Sequence, residues 1–221
     1  MRDAAAHGRF ITFEGGEGAG KSTQVAALAA ALTRAGIPHL ATREPGGSDG
    51  AEALRALLVN DAGHDWDPLS ELLLILTARR DHLRRRILPA LAAGTWVLCD
   101  RFSDSTLAYQ GHGQGLATAL IGKLADLALG DLEAAARRPD LTFVFDLAPA
   151  AGLARAAARR AGEDRYEALG TAFHQRVRDG FRAIAAADPA RCLLIDAAQD
   201  PATVAAAVLT GCRDRLGVAL S

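Results

Sequence analysis

The chain has 221 residues, 50% of them hydrophobic, and carries 25 lysines and arginines against 26 aspartates and glutamates. This length suits one large domain or two small ones, and the apolar share is enough to build a sizeable core. A formal net charge of -1 gives no overall attraction to nucleic acid, and no run of 18 or more apolar residues is available to span a bilayer. We therefore predict a globular protein without nucleic-acid or membrane partners.

Neither the start of the chain nor the cysteines indicate secretion, disulfide bonds or a zinc site. Residues 1–8 lack the apolar stretch of a secretory signal, so we predict a disordered extension there and a cytoplasmic location for the protein. Residues 9–221 are predicted to form a single domain. The cysteines, Cys99, Cys192 and Cys212, are odd in number and far apart, which favours structural thiols over a disulfide framework or a zinc site.

Five runs have the composition of β-strands and are separated by helix-forming stretches: 9–14, 39–43, 96–100, 141–146 and 192–196. This alternation predicts an α/β fold with a parallel sheet. Three of the runs are strongly apolar and end in an acidic residue, as expected of strands buried on both faces, and ligands gather at the carboxyl ends of such strands. For two of these acidic residues, Asp146 and Asp196, we favour a structural role.

The motif G-x-x-x-x-G-K-[ST] occupies residues 15–22, between the first strand run and a helix-forming stretch. Its glycines let the backbone turn N–H groups toward an anion, and the following helix adds a favourable dipole. In such a loop Lys21 reaches the β- and γ-phosphates, and Ser22 offers its hydroxyl to Mg²⁺. The bare pattern also fits an ordinary glycine-rich turn, but its place between a strand and a helix favours nucleotide binding.

Asp100 ends the third strand run, where a carboxylate is expected near the phosphate loop and its metal. It would coordinate the metal or orient the attacking phosphate, and the structural alternative is a strand-end cap or salt-bridge partner. Arg43 ends the second run and is followed by a turn signature, a position suited to bidentate phosphate recognition. Taken alone, such a turn is more often structural.

Arg79 falls on an apolar stripe of the predicted helix 69–91, and its guanidinium therefore requires a buried anion or acceptor. Pro89 is expected to kink or interrupt this helix. Three neighbouring arginines lie off the stripe and are predicted to be solvated: Arg80, Arg84 and Arg85. The apolar members of the stripe are Leu72, Leu76, Leu83 and Ile87.

Four segments occur together in a distinctive order: FEGGEGAGKSTQ at residues 13–24, REPGG at 43–47, DRF at 100–102 and STLAYQG at 105–111. Together they resemble the thymidylate kinase family, and the resemblance runs from about residue 9 to the last helix. It implies a three-layer P-loop kinase fold with a five-stranded parallel sheet, flanking helices and a short mobile lid. It also implies the reaction ATP + dTMP giving ADP + dTDP, in the synthesis of dTTP, with Mg²⁺ as cofactor, and a homodimer.

The resemblance also implies roles for individual residues. Arg43 and Arg101 would hold the monophosphate, Glu17 would meet the sugar 3′-hydroxyl, and Arg79 would hydrogen-bond the thymine edge. Tyr109 would close on the sugar. The implied acceptor site consists of Glu17, Arg43, Pro45, Ile75, Arg79, Arg101, Thr106, Tyr109 and Gln110. The implied ATP site consists of Gly15, Gly16, Glu17, Gly18, Ala19, Gly20, Lys21, Ser22 and Thr23, with Ser22 and Asp100 near the metal.

Members of this family supply a catalytic arginine from the phosphate loop or from the lid. Gly18 stands at the loop position here, so the resemblance assigns the arginine to the lid, at about residues 155–167. Arg160 is the best match and Arg159 is its neighbour. The implied catalytic residues are Lys21, Asp100, Arg101, Arg159 and Arg160. Lid closure would bring the cation onto the transferring phosphoryl group and stabilise its transition state.

One position departs from the family pattern. Ile75 stands where the family usually has Phe or Tyr to stack on thymine, so we expect weaker dTMP binding or a slightly relaxed base preference. Two alternatives stay open: a kinase for another monophosphate, such as dUMP, UMP or a guanylate, and a non-catalytic ATP-binding switch. A homodimer is suggested by helix 69–91, which has more apolar positions than one buried face needs.

Overall fold

The computed structural model describes residues 8–60, 65–133, 137–158 and 164–220. In this part of the chain five parallel strands form one sheet with the order β2-β3-β1-β4-β5. The strands are β1 (Phe10–Gly15), β2 (His39–Arg43), β3 (Trp96–Asp100), β4 (Leu141–Asp146) and β5 (Cys192–Asp196). The predicted parallel α/β sheet is confirmed, with strand limits that differ from the sequence prediction by at most one residue.

The helices follow the predicted alternation with the strands. They are α1 (Lys21–Arg34), α2 (Asp49–Arg55) with a π-helical turn (Ala56–Asn60), α3 (Pro68–His82) with a π-helical turn (Leu83–Ile87), α4 (Leu88–Ala92), α5 (Ser103–Thr106) with a π-helical turn (Leu107–Gly113), α6 (Thr118–Leu129), α7 (Pro149–Ala158), α8 (Asp164–Glu167), α9 (Thr171–Ala187) and α10 (Pro201–Leu216). Both α3 and α10 begin with an Asp-Pro pair, in which the aspartate side chain accepts two backbone N–H groups and proline takes the first helical position.

Helices cover both faces of the sheet and make a three-layer structure. On one face α1 and α10 pack on the strands, and Leu28 and Val208 belong to the same buried apolar cluster as Phe13 and Phe143. On the other face, α9 contributes Val177 to a second apolar cluster, while α4 and α6 close a third. Strands buried on both sides explain why the third and fourth runs are almost wholly apolar.

The apolar stripe of α3 is buried as predicted. Leu72, Leu76 and Arg79 are each at most 3% exposed, and the stripe continues through the π-helical turn into α4. Pro89 lies in the first turn of α4, directly after the π-helical turn Leu83–Ile87, so the regular α-helix is interrupted just ahead of the proline. Arg80 reaches Asp131 at the surface, which agrees with its place off the stripe.

Several structural predictions are confirmed. Cys99, Cys192 and Cys212 are buried free thiols. Asp146 pairs with two arginines of α9, and Asp196 accepts a backbone N–H at the turn that follows β5. Gly8, assigned above to the extension, is buried and donates to the Leu91 carbonyl oxygen at 3.0 Å; residues 1–7 lie outside the described residues. Within the described residues, no helix has the length and apolar character needed to cross a membrane.

Candidate active site

The phosphate loop joins the end of β1 to the start of α1, at the carboxyl edge of the sheet. Gly15, Gly18 and Gly20 have φ angles of 142°, 67° and 87°, which glycine adopts at little cost. Lys21 is buried and its Nζ donates to the carbonyl oxygens of Gly15 and Gly16 at 3.1 and 2.9 Å. Burial and the neighbouring Arg101 lower the pKa of Lys21 to about 8. The Lys21 ammonium group therefore lies against the loop backbone, where the motif predicts phosphate oxygens.

Gly18 leaves no room for a side chain. A Cβ atom there would lie 2.0 Å from the carbonyl oxygen of Gly152, in α7. An arginine at this position would displace either the loop or that helix. The geometry agrees with the expectation that the loop does not supply a catalytic arginine.

Ser22 and Asp100 meet across the end of the sheet. The Ser22 hydroxyl donates to Asp100 Oδ2 at 2.6 Å, because β1 and β3 are neighbours and their carboxyl ends coincide. Within the described residues no group of three or more His, Cys, Asp or Glu side chains could hold a metal ion. Mg²⁺ bound mainly through nucleotide phosphates needs only one or two protein oxygens, and this pair fits that requirement.

A cavity lies beside the phosphate loop, and its volume is about 690 Å³ when the opening to solvent is included. It contains eight of the nine residues predicted for the acceptor site. Its lining consists of Glu17, Glu44, Pro45, Arg55, Val59, Ile75, Arg79, Arg101, Phe102, Ser105, Thr106, Tyr109, Gln110, Tyr166 and Glu167.

Arg101 connects this cavity to the phosphate loop. Its Nη1 donates to the Gly15 carbonyl oxygen at 2.9 Å, its Nη2 lies 2.7 Å from Glu17 Oε1, and its guanidinium stacks 4.9 Å from the centre of the Tyr109 ring. Tyr109 also donates to Glu17, at 2.7 Å. Although burial opposes ionisation, Arg101, Lys21 and this hydrogen bond lower the pKa of Glu17 to about 2. Glu17 is therefore a carboxylate at neutral pH, able to accept from a sugar hydroxyl.

The backbone of Arg101 is unusual, because its φ of 71° lies in the left-handed region that few non-glycine residues adopt. Such conformations cost free energy and are retained where the surroundings fix them, often at functional sites. Here Arg101 directly follows β3, its backbone N–H donates to the Phe13 carbonyl oxygen at 2.9 Å, and its side chain makes three hydrogen bonds and one ring contact. The residue with this strained backbone is the one whose guanidinium contacts the phosphate loop.

Arg79 finds the buried anion that its place on the stripe requires. Its Nε donates to Glu44 Oε2 at 2.7 Å, and its Nη2 donates to the Phe102 carbonyl oxygen and to Thr106 Oγ1. His82, fully buried, binds the second oxygen of Glu44. Although burial opposes ionisation of Glu44, Arg79 and His82 lower its pKa. Within the described residues Nη1 of Arg79 has no hydrogen-bond partner, which leaves it available to a ligand in the cavity.

Arg43 is the one predicted acceptor residue that does not line the cavity. It does end β2 at the correct edge, but its side chain is 53% exposed and pairs with Glu52 at 3.1 Å. Arg55 lines the cavity instead, and its Nη1 donates to the Pro45 carbonyl oxygen at 2.7 Å. Sequence reasoning missed Arg55 because a helical arginine is solvated by default, and only the path of the turn at Pro45 brings it inward.

The structure describes the two ends of the segment predicted to form a lid, at about residues 155–167. Arg155, in α7, donates to the Ala197 carbonyl oxygen at 2.9 Å, and α8 places Tyr166 against the cavity. Arg159 and Arg160, predicted as lid arginines, lie outside the described residues.

The phosphate loop, the Ser22–Asp100 pair and a separate arginine-lined cavity share one edge of a parallel sheet, which defines the class of P-loop nucleoside monophosphate kinases. Comparison of the sequence with known families identifies the member of this class: the family described as thymidylate kinase matches residues 13–208. The chain belongs to the thymidylate kinase family.

Individual relatives agree over nearly the whole chain. A thymidylate kinase from Bradyrhizobium diazoefficiens is 51% identical over 218 residues, covering 98% of this chain and 93% of the relative. One from Caulobacter vibrioides is 51% identical, covering 96% and 99%. The crystal structure of thymidylate kinase from Ehrlichia chaffeensis superposes with a TM-score of 0.72 at 37% identity, covering 92% of this chain and 98% of that one.

A buried carboxyl group beneath the site gives a prediction about pH. Burial and the nearby Asp104 raise the pKa of Glu14 from 4.5 to about 7, against hydrogen bonds from Ser105 and the Phe102 N–H. The folded protein therefore keeps a proton that the unfolded chain loses between these pH values, so this group lowers stability as pH rises through that window. Glu14→Gln removes the titration and keeps the shape.

We expect the unfolding free energy of wild type to fall relative to Glu14→Gln by roughly 1–3 kcal/mol between pH of about 5 and 7.5. Urea unfolding at the two pH values measures this difference. Asp131→Asn is the control, because Arg80 holds the pKa of Asp131 at about 2, below the window. Parallel pH profiles for wild type and Glu14→Gln would refute the assignment.

Proposed function

We propose that the chain transfers the γ-phosphoryl group of ATP to dTMP, giving ADP and dTDP for the supply of dTTP. The observation that carries this proposal is the position of Arg101, which contacts both the phosphate loop and the acceptor cavity. One guanidinium placed there holds an acceptor phosphate close to the donor phosphate, and positioning of this kind is a large part of phosphoryl-transfer catalysis.

On the donor side, Lys21 and the loop N–H groups bind the β- and γ-phosphates of ATP. Ser22 and Asp100 would hold Mg²⁺, which would neutralise charge on the phosphates. The hydrogen bond between Ser22 and Asp100 keeps both oxygens at one point before the nucleotide arrives. Preorganised charge of this kind acts in the transition state without further rearrangement.

On the acceptor side, Arg101 and Arg55 supply positive charge for the monophosphate of dTMP. Glu17 accepts from the sugar 3′-hydroxyl, and Tyr109, which donates to Glu17, supports that carboxylate. Arg79 offers Nη1 to the thymine edge. Arg43 pairs with Glu52, so it would bind the monophosphate only after that ion pair breaks.

A coupled assay of ADP release tests the function. With ATP and Mg²⁺, we expect turnover with dTMP far above that with dUMP, UMP, dGMP or no acceptor, because Arg79 and Gln110 line the cavity where we propose that thymine binds. Preference for another monophosphate would instead favour a kinase of different specificity. Equal low rates with every acceptor and with none would favour a non-catalytic ATP-binding switch.

The lid arginine is tested in the same assay. We expect Arg160→Ala to lower kcat by a factor on the order of 10³, within the range known for transition-state arginines, with a small change in the KM for ATP. Arg159→Ala is the matched comparison on the neighbouring residue and should cost much less. Equal losses in the two variants would show that the arginines share the role, and no loss in either would remove the lid arginine from the mechanism.

The base pocket is tested at Ile75, which lines the cavity beside Val59. Ile75→Phe restores a ring that can stack on thymine, worth about 1 kcal/mol, so the KM for dTMP should fall about five-fold. The KM for ATP in the same variant is the internal control and should stay unchanged. An unchanged or higher KM for dTMP would refute a stacking role for this position.

A homodimer is also part of the proposal. The two packed helices α3 and α6 bury Leu72, Leu76 and Ile121 between them but leave Leu73 48% and Leu127 83% exposed. Exposed leucines on neighbouring helices favour a partner surface, and sedimentation equilibrium measures the oligomeric state. The cytoplasmic location, the single-domain assignment and small nucleotides as the partners stay predictions of the sequence.

A further inference from the structure

A buried carboxylate, Glu71, lies behind the acceptor cavity, outside the set of residues that the family resemblance implied. It belongs to the first turn of α3 and is 0% exposed. Its Oε1 accepts from Gln110 Nε2 at 2.6 Å, from Gln114 Nε2 at 2.8 Å and from the Tyr166 hydroxyl at 3.0 Å. Its Oε2 lies 2.6 Å from Arg165 Nη2. Four side chains from two separate segments of the chain therefore converge on one carboxylate.

The contribution of Glu71 to the stability of the fold does not explain why a carboxylate is buried at this position. Its neighbour in sequence, Leu72, is fully buried in the apolar stripe, and an apolar residue at position 71 would avoid the cost of removing a carboxylate from water. Buried ion pairs often stabilise a fold no better than well-packed apolar groups of similar size. The partners of Glu71 give a different reason, because two of them, Gln110 and Tyr166, line the acceptor cavity.

The first consequence is the orientation of Gln110. A carboxylate only accepts hydrogen bonds, so the Gln110 amide must turn its nitrogen toward Glu71 and its carbonyl oxygen away from it. A fixed carbonyl oxygen presents an acceptor to the base. That acceptor matches the N3–H donor of thymine and mismatches cytosine, whose N3 is itself an acceptor.

The second consequence is the position of α8. This element has only four residues, too few to be stable as an isolated helix. Arg165 is held by Glu71 and also donates to the Leu58 carbonyl oxygen at 3.0 Å, while the Tyr166 ring packs edge-on against Tyr109 at 5.6 Å. Glu71 therefore holds one wall of the cavity against the residue that supports the sugar site.

We propose that Glu71 is a positioning residue for the acceptor: it aims the Gln110 amide at the base and holds Arg165 and Tyr166 of α8 against the cavity. The proposal rests on the proposed function, because it requires a pyrimidine monophosphate in the cavity. Glu71 acts through its partners and does not itself touch the substrate.

The test is the Glu71→Gln variant of the full chain, assayed with ATP and Mg²⁺. Glutamine keeps the size of the side chain but replaces one acceptor oxygen with a donor. It therefore cannot accept from Arg165 and from the three neutral donors at the same time. We expect the KM for dTMP to rise about ten-fold or more, with kcat changed less than KM and the KM for ATP unchanged. The preference for dTMP over 5-methyl-dCMP, measured as the ratio of kcat/KM values, should also fall, because the Gln110 amide is free to turn.

A double-mutant cycle with Arg165→Gln examines the link to α8. The two changes remove the same contact, so the double variant should raise the KM for dTMP little more than either single variant does. Arg165→Lys serves as a milder second variant that keeps the charge, with an expected rise in KM of a few-fold. The matched control is Asp131→Asn, which removes a carboxylate paired with Arg80 of the same helix, outside the cavity, and should leave every kinetic constant unchanged.

Unchanged KM and base preference in Glu71→Gln and Arg165→Lys would overturn the proposal while wild-type turnover of dTMP upheld the function. Equal rises in the KM for ATP and for dTMP would also overturn it, since they indicate general damage to the fold. If the effects of Glu71→Gln and Arg165→Gln on the KM for dTMP were fully additive, Glu71 would not act through α8. That result would overturn the part of the proposal that concerns α8. Absence of dTMP turnover in wild type would instead contradict the proposed function itself.

Discussion

The contacts of the Arg101 guanidinium are the constraint on which the site depends. This one side chain lies against the phosphate loop, the Glu17 carboxylate and the Tyr109 ring, and its backbone holds a left-handed conformation to do so. Its charge keeps Glu17 ionised despite burial and contributes to the lowered pKa of Lys21. The donor loop and the acceptor cavity are therefore coupled electrostatically before either nucleotide binds.

The same logic extends around the cavity, where buried charges occur in matched sets. Glu44 pairs with both Arg79 and His82. Glu71 pairs with Arg165 and accepts hydrogen bonds from three neutral donors. Removing one member of such a set leaves a buried partner unsatisfied, which costs more than the intact set contributes. The cavity is therefore lined by polar side chains with partners inside the protein, and a site with buried polar groups rejects a ligand that leaves those groups unpaired.

Close backbone packing limits which side chains the phosphate loop can carry. The phosphate loop and α7 touch at Gly18 and Gly152, so neither position accepts a side chain. Lys21 and Arg101 already lie against the loop, but position 18 cannot carry an additional arginine. This agrees with our proposal that a further arginine for the transferring phosphoryl group comes from the predicted lid.

The sequence by itself determined the positions of the strands along the chain, the phosphate loop, the place of Asp100 beside that loop, and the burial of Arg79, because these follow from local periodicity and from the parallel-sheet rule that carboxyl ends share one edge. Only the tertiary structure decided that Arg43 turns to Glu52 while Arg55 enters the cavity, and that Glu44 and Glu71 are the buried anions. These outcomes depend on the paths of turns and on contacts between distant segments. An arginine or glutamate in a helix has the same local signal whether it faces water or a cavity.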